Sequence, residues 1–208
     1  MSLRVKICGI TSLADALAAV EAGADALGFM FYVRSPRYIR PELAAEISER
    51  LPGYVTRVGV FVDAPAESVK AVLGVCRLDL LQFHGDEPPE YCRQFGVPTM
   101  KAFRMRDADS LRALPMYDTE FWLLDAYVPG LPGGTGEVFN WQLAVAAKSL
   151  GRPFFLAGGL TPDNVAEAVR LVRPYGVDVS SGVESAPGKK DPAKLRAFVW
   201  AAKQGLNR

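Results

Sequence analysis

The sequence predicts a parallel α/β barrel of the (β/α)8, or TIM, type, in one compact domain covering residues 1–208. Three observations carry that prediction. Eight short apolar runs alternate along the chain with stretches of helical periodicity. Cys8 ends the first run, while turns of small residues, Ala157-Gly158-Gly159-Leu160 and Ser180-Ser181-Gly182, follow the last two. Such strand-to-helix turns cradle phosphate on backbone N–H groups, and they can meet a thiol at the far end of the chain only if the sheet closes on itself. The length of 208 residues suits one domain with a large core and is short for two.

The strands are expected at residues 5–8, 26–31, 57–62, 78–83, 99–104, 121–125, 154–157 and 177–180, each rich in β-branched or aromatic residues. Between them, Leu13, Leu17 and Val20 share one helical face. Val69, Val72 and Leu73 share another, and Val165, Val169 and Val172 a third. Leu195, Phe198, Val199 and Ala202 form the last stripe. Ser12, with Asp15 three residues on, reads as a helix cap, and Pro41, Pro65, Pro162 and Pro192 stand where a first helical residue is expected. The longest irregular stretch, residues 126–138, is rich in glycine and proline and is expected to be a lid or ligand clamp.

Half the residues are apolar, 23% are charged, and the formal net charge is +1 with Lys and Arg dispersed. That balance gives no electrostatic footprint for nucleic acid or an anionic membrane. An anionic ligand would have to be held by local groups. Cys8, Cys76 and Cys92 have no zinc-type spacing, and a lone histidine, His84, excludes a multi-histidine metal site. No apolar run approaches the roughly 20 residues of a membrane span, and no secretory leader follows Met1. A cytoplasmic protein with reduced thiols is expected.

Strand alternation sorts the side chains. With Val5 and Ile7 facing the helices, Lys6 and Cys8 face the barrel interior; with Val177 and Val179 outward, Asp178 and Ser180 face in. The first and eighth strands become neighbours on closure, so Lys6 and Asp178 are expected to pair, an isolated buried charge being very costly. Leu80, Gln82 and His84 share the inner face of the fourth strand, and Asp125 ends the sixth, at the strand ends where such barrels place their chemistry. Cys8 reads two ways: core filler, or a base or nucleophile whose thiolate the neighbouring Lys6 would favour.

These segments resemble phosphoribosylanthranilate isomerase, and the resemblance covers essentially the whole chain. Lys6-Ile7-Cys8-Gly9-Ile10 looks like the first strand of that family and Arg34-Ser35-Pro36-Arg37 like its second loop. Leu81-Gln82-Phe83-His84-Gly85 looks like its fourth strand end and Leu123-Leu124-Asp125 like its sixth. Gly134-Thr135-Gly136, Ala157-Gly158-Gly159-Leu160 and Asp178-Val179-Ser180-Ser181-Gly182-Val183-Glu184 complete the set in order. Phe83 and Phe103 are bulkier than the pattern leads one to expect beside a pocket.

The resemblance implies an Amadori rearrangement of N-(5-phosphoribosyl)anthranilate in tryptophan biosynthesis, with no metal, nucleotide or redox cofactor. It implies Asp125 as general acid, its pKa raised by burial, and Cys8 as the base. Arg37 would hold the anthranilate carboxylate, with Gln82, His84 and Asp178 also lining the substrate. Gly158, Gly159, Ser180, Ser181 and Gly182 would bind the phosphate, with Gly134 and Gly136 closing over it. The partner is a small phosphorylated metabolite, taken by a monomer or homodimer. Competing readings are another phosphosugar isomerase barrel, of the imidazole-branch type, and a barrel that binds a phosphometabolite without catalysis.

Overall fold

The computed structural model describes residues 2–125 and 138–206, with the side chains of residues 138–140 left aside. Its eight core strands are β1 (Arg4–Cys8), β2 (Ala26–Met30), β3 (Thr56–Phe61), β4 (Leu80–Phe83), β5 (Thr99–Arg104), β6 (Phe121–Asp125), β7 (Phe154–Ala157) and β8 (Gly176–Val179). They pair in sequence order, all parallel, into a closed barrel. Closure is made by β1 against β8, with Lys6 opposite Asp178. The helices are α1 (Leu13–Glu21), α2 (Pro41–Glu49), α3 (Ala66–Val75), α4 (Pro89–Cys92), α5 (Ser110–Ala113), α6 (Val138–Ala147), α7 (Val165–Val172) and α8 (Pro192–Gln204).

The period of two in the strands builds two cores. Val5, Ile7, Leu27, Phe29, Val177 and Val179 face the helices in the outer core. Cys8, Val58, Val60, Leu80, Met100 and Phe155 fill the barrel itself. At the amino-terminal mouth, the rings of Phe121, Phe155 and Tyr175 pack on one another with centroids 5.0–5.7 Å apart. These rings line a small cavity at that end of the barrel, while the chemistry of such folds sits at the carboxyl rim.

Local punctuation explains where the helices begin. Ser12 Oγ accepts the Asp15 N–H at the start of α1, and Asp191 accepts two N–H groups at the start of α8. Pro41 and Pro192 open α2 and α8 as expected, whereas Pro65 stands one residue before α3. Pro162 departs further, because α7 starts at Val165. Asn164 is the cause: its Oδ1 accepts the Thr161 N–H and its Nδ2 donates to the Gly159 carbonyl, which folds residues 159–164 into a turn ahead of the helix.

The expected face of α1 is also corrected. Its buried residues are Ala16 and Ala19, and Leu17 is exposed, since small residues allow the helix to lie close on the barrel. After β8 a short 3-10 turn (Ser181–Val183) leads into an antiparallel hairpin that the sequence reading did not anticipate, β9 (Glu184–Ala186) with β10 (Lys189–Lys190). The expected lid segment, with Gly134 and Gly136, falls largely at 126–137, outside the described residues.

Candidate active site

At the β1–β8 seam, Lys6 Nζ lies 2.8 Å from Asp178 Oδ1, and the lysine side chain is fully buried. Cys8, two residues up the same face, is buried as well. Gly28, its register partner on β2, is what makes room for both. A Cβ there would lie 2.8 Å from the Cys8 Sγ and 3.2 Å from the Lys6 Nζ, so thiol and ammonium occupy the space a side chain at this position would need.

The electrostatics revise one expectation. Burial pushes the Cys8 thiol up from its ordinary 9.0; Lys6 and Lys190 pull it down, Asp178 adds to the rise, and the balance stays upward. The Lys6 charge is shared with Asp178, so it offsets burial only in part. Cys8 rests as a thiol, not as the expected thiolate. Lys6 itself stays charged: burial opposes its ammonium, and the Asp178 carboxylate 2.8 Å away is what favours it.

On the other side, Gln82 Nε2 lies 2.9 Å from His84 Nδ1, and His84 Nε2 lies 3.5 Å from Asp125 Oδ2. These groups stand on β4 and β6, with β5 between them. Ala102 is the inward residue of β5 at that level, and its small side chain leaves space for the imidazole to reach the carboxylate. The imidazole thus bridges the Gln82 amide through Nδ1 and the Asp125 carboxyl through Nε2. The Gln82 Oε1 is buried and has no partner among the described residues.

Asp125 also departs from expectation, its side chain being 26% exposed rather than buried. It ends the strand at the rim, where the interior opens to solvent. The loop after His84 is pinned by Glu87, which accepts the N–H groups of Asp63 and Gly85 at 2.9 Å and pairs with Lys101. Phe83 and Phe103 do not border the site; both face the helices in the outer core.

Arg37 reaches over the end of β1. A Cβ on Gly9 would lie 2.6 Å from the Arg37 Cδ and 3.1 Å from the Ser180 Oγ, and Gly9 has φ +78°, so both the close approach and the backbone require glycine. The Arg37 guanidinium donates from Nε and Nη2 to the two oxygens of Glu184, at 2.8 and 2.6 Å. The Ser180 Oγ is buried without a partner among the described residues.

The two small-residue turns pack on each other. Gly158 and Gly159 have φ of +87° and +63°. A Cβ on Gly182 would fall 2.0 Å from the Leu160 carbonyl oxygen, a contact only glycine permits. Neither the Gly159 nor the Leu160 N–H finds an acceptor among the described residues, which leaves them able to meet an anion. Ser181 is exposed beside them at the start of the 3-10 turn. The structure thus gathers Cys8, Arg37, Ser180 and the glycine turns at the ends of β1, β7 and β8, and Gln82, His84 and Asp125 at the ends of β4 and β6. Asp178 lies deeper, bonded to Lys6.

Three participants escaped the sequence reading. Gly28 was legible, since alternation on β2 places it inward opposite Cys8. Glu184 stood inside a quoted motif with no role assigned. Lys190, in a Gly-Lys-Lys run that reads as solvated surface, carries no sequence signal for its burial.

Fold and site define a (β/α)8-barrel enzyme with its chemistry at the carboxyl ends of the strands. A family model described as N-(5'-phosphoribosyl)anthranilate (PRA) isomerase matches residues 5–201. The chain belongs to this family. It is 58% identical over 204 residues to the N-(5'-phosphoribosyl)anthranilate isomerase of Trichlorobacter lovleyi, covering 98% of this chain and 100% of that protein. The crystal structure of phosphoribosyl anthranilate isomerase from Thermotoga maritima superposes with a TM-score of 0.91 at 45% identity, covering 97% of this chain and 98% of that one. A second crystal structure of such an isomerase, in complex with reduced 1-(o-carboxyphenylamino)-1-deoxyribulose 5-phosphate, matches with a TM-score of 0.88 at 43% identity, covering 97% and 98% of the two chains.

Proposed function

We propose that the chain converts N-(5-phosphoribosyl)anthranilate into 1-(2-carboxyphenylamino)-1-deoxyribulose 5-phosphate, the aldose-to-ketose rearrangement of tryptophan biosynthesis. The observation that carries the reading is the pairing, in a chain of this family, of an inward thiol on β1 and an inward carboxyl on β6, with two glycine turns beside them. Asp125, in its protonated form, gives its proton to the furanose oxygen; the C1–O bond breaks and the anilino nitrogen lone pair forms the C1 iminium. Cys8, as thiolate, takes the C2 proton, and the electron pair of that C–H bond moves to make the enolamine. Ketonisation with a proton returned at C1 gives the product.

Each residue suits its step for a physical reason. His84 beside Asp125 can hand on the proton that the acid must recover after each turnover. Cys8 rests protonated, so the reactive fraction is the thiolate, which Lys6 stabilises and which the positive charge of the iminium favours further. Asp178 acts by holding Lys6. Arg37 holds the ring carboxylate, and the phosphate takes the N–H groups of the turns at Gly158-Gly159 and Ser180-Ser181-Gly182. The reading also includes a cytoplasmic location and action as a monomer or homodimer; among the described residues no helix is long and apolar enough to cross a membrane.

The test is turnover of phosphoribosylanthranilate by purified protein without added metal, followed by loss of anthranilate-type fluorescence. Conversion is expected. Binding without conversion would replace this reading with that of a phosphometabolite-binding barrel.

A further inference from the structure

Glu184 and Lys190 take part in none of the steps above, yet both are buried, in contact with Arg37 and the Cys8 backbone. The β9–β10 hairpin sets them opposite each other. Lys190 Nζ donates to three oxygens: Cys8 O at 2.6 Å, Glu184 Oε1 at 2.9 Å and Ser180 O at 3.2 Å. An ammonium has three N–H groups, so this one is fully used. It ties the carbonyl of the thiol-bearing residue to the start of the 3-10 turn and to the carboxylate that grips Arg37.

The grip decides what Arg37 can offer. Glu184 takes the Nε–Nη2 edge of the guanidinium. A guanidinium has a second edge, Nη1 with the other Nη2 hydrogen, of the right width for another carboxylate. Nη1 has no acceptor among the described residues. Arg37 with Glu184 alone would be a neutral pair, with little attraction left for an anion. With Lys190 charged on the same carboxylate, two cations face one anion and the cluster carries +1, although burial draws the Lys190 ammonium below its ordinary 10.5. Burial works against the Glu184 carboxylate, but the bonds from Arg37 and Lys190 outweigh it and hold the group below the ordinary glutamate range.

We propose that Glu184 is a positioning residue that turns the open edge of Arg37 toward the substrate's ring carboxylate, and that Lys190 keeps that arm charged and in register with Cys8 and the phosphate turn. The proposal rests on the carboxylate role given to Arg37 above.

The test is a double-mutant cycle read by competitive inhibition with two ligands. One is the reduced product, 1-(o-carboxyphenylamino)-1-deoxyribulose 5-phosphate in reduced form; the other is the same compound without its ring carboxylate. Glu184→Ala is expected to weaken the carboxylate-bearing ligand roughly tenfold, and the other less than about twofold. In an Arg37→Ala background, Glu184→Ala should add nothing. Glu184→Gln, which keeps the volume and an acceptor for Lys190 but loses the anionic fork, is measured alongside in case the alanine variant fails to fold. Lys190→Met should weaken the carboxylate-bearing ligand selectively as well. If Arg37→Ala removes the discrimination between the ligands but neither Glu184 variant does, the positioning role is overturned and the role of Arg37 stands. If Arg37→Ala leaves the discrimination intact, both fall.

Discussion

Cys8 faces two opposing demands: burial, which disfavours its charged form, and the proposed role as base, which needs that form. The consequence is measurable on the free enzyme. Alkylation of Cys8 by iodoacetamide should be slow at neutral pH and should keep accelerating through pH 9, since the folded thiol titrates above its ordinary 9.0. Rapid labelling of Cys8 at pH 7 would show a resting thiolate and contradict the electrostatics described above. Removing the groups outright is more severe. Cys8→Ala and Asp125→Asn are each expected to lower turnover by at least roughly a hundredfold while circular dichroism shows the barrel intact. Wild-type rates in either folded variant would take that residue out of the mechanism. Arg37→Ala should raise KM more than it lowers kcat, because the ring carboxylate proposed as its partner is remote from both proton transfers.

The elements bring such residues to their places by small side chains as much as by large ones. Gly28 on β2 leaves room for the thiol and the ammonium, since a Cβ would stand 2.8 Å from sulfur. Gly28→Ala should therefore cut activity sharply, with a loss of stability of about 1–3 kcal/mol by denaturant titration, the usual cost of overpacking. An unchanged midpoint and unchanged activity would mean that this room is dispensable. The outline of these elements was legible in the sequence. Alternation on β1 and β8 placed Lys6, Cys8 and Asp178 inward, and the structure pairs Lys6 with Asp178 at 2.8 Å. The start of α7 was not legible, because Pro162 signals a helix that Asn164 postpones through side-chain bonds to Thr161 and Gly159. Propensity sees one residue at a time, and such a turn depends on the geometry of six.

For the whole molecule, closure of the barrel rests partly on one ion pair between residues 172 positions apart. Lys6→Met should lower stability by about 3–5 kcal/mol, the usual consequence of leaving one member of a buried pair alone, and Asp178→Asn should do the same. Glu184 adds a pH dependence of definite sign. Its pKa is depressed in the fold, so its contribution is fully present above the ordinary value of 4.5 and is lost as pH falls through the lower folded value. Thermal midpoints should accordingly fall on acidification below about pH 4.5 more steeply for the wild type than for Glu184→Gln. Parallel curves for the two proteins would show that Glu184 does not carry this dependence.

The sequence alone determined the barrel, the inward sets on its strands and the residues at its rim, because strand period, helix period and turn chemistry are local properties written in consecutive residues. The tertiary structure decided which groups share a charge. It showed the Lys6 ammonium paired with Asp178, the Arg37 guanidinium held by Glu184, and Lys190 buried against three oxygens from β1, the turn after β8 and β9. Protonation states and open donor edges depend on distance and burial, and in a closed barrel those are set by residues from opposite ends of the chain.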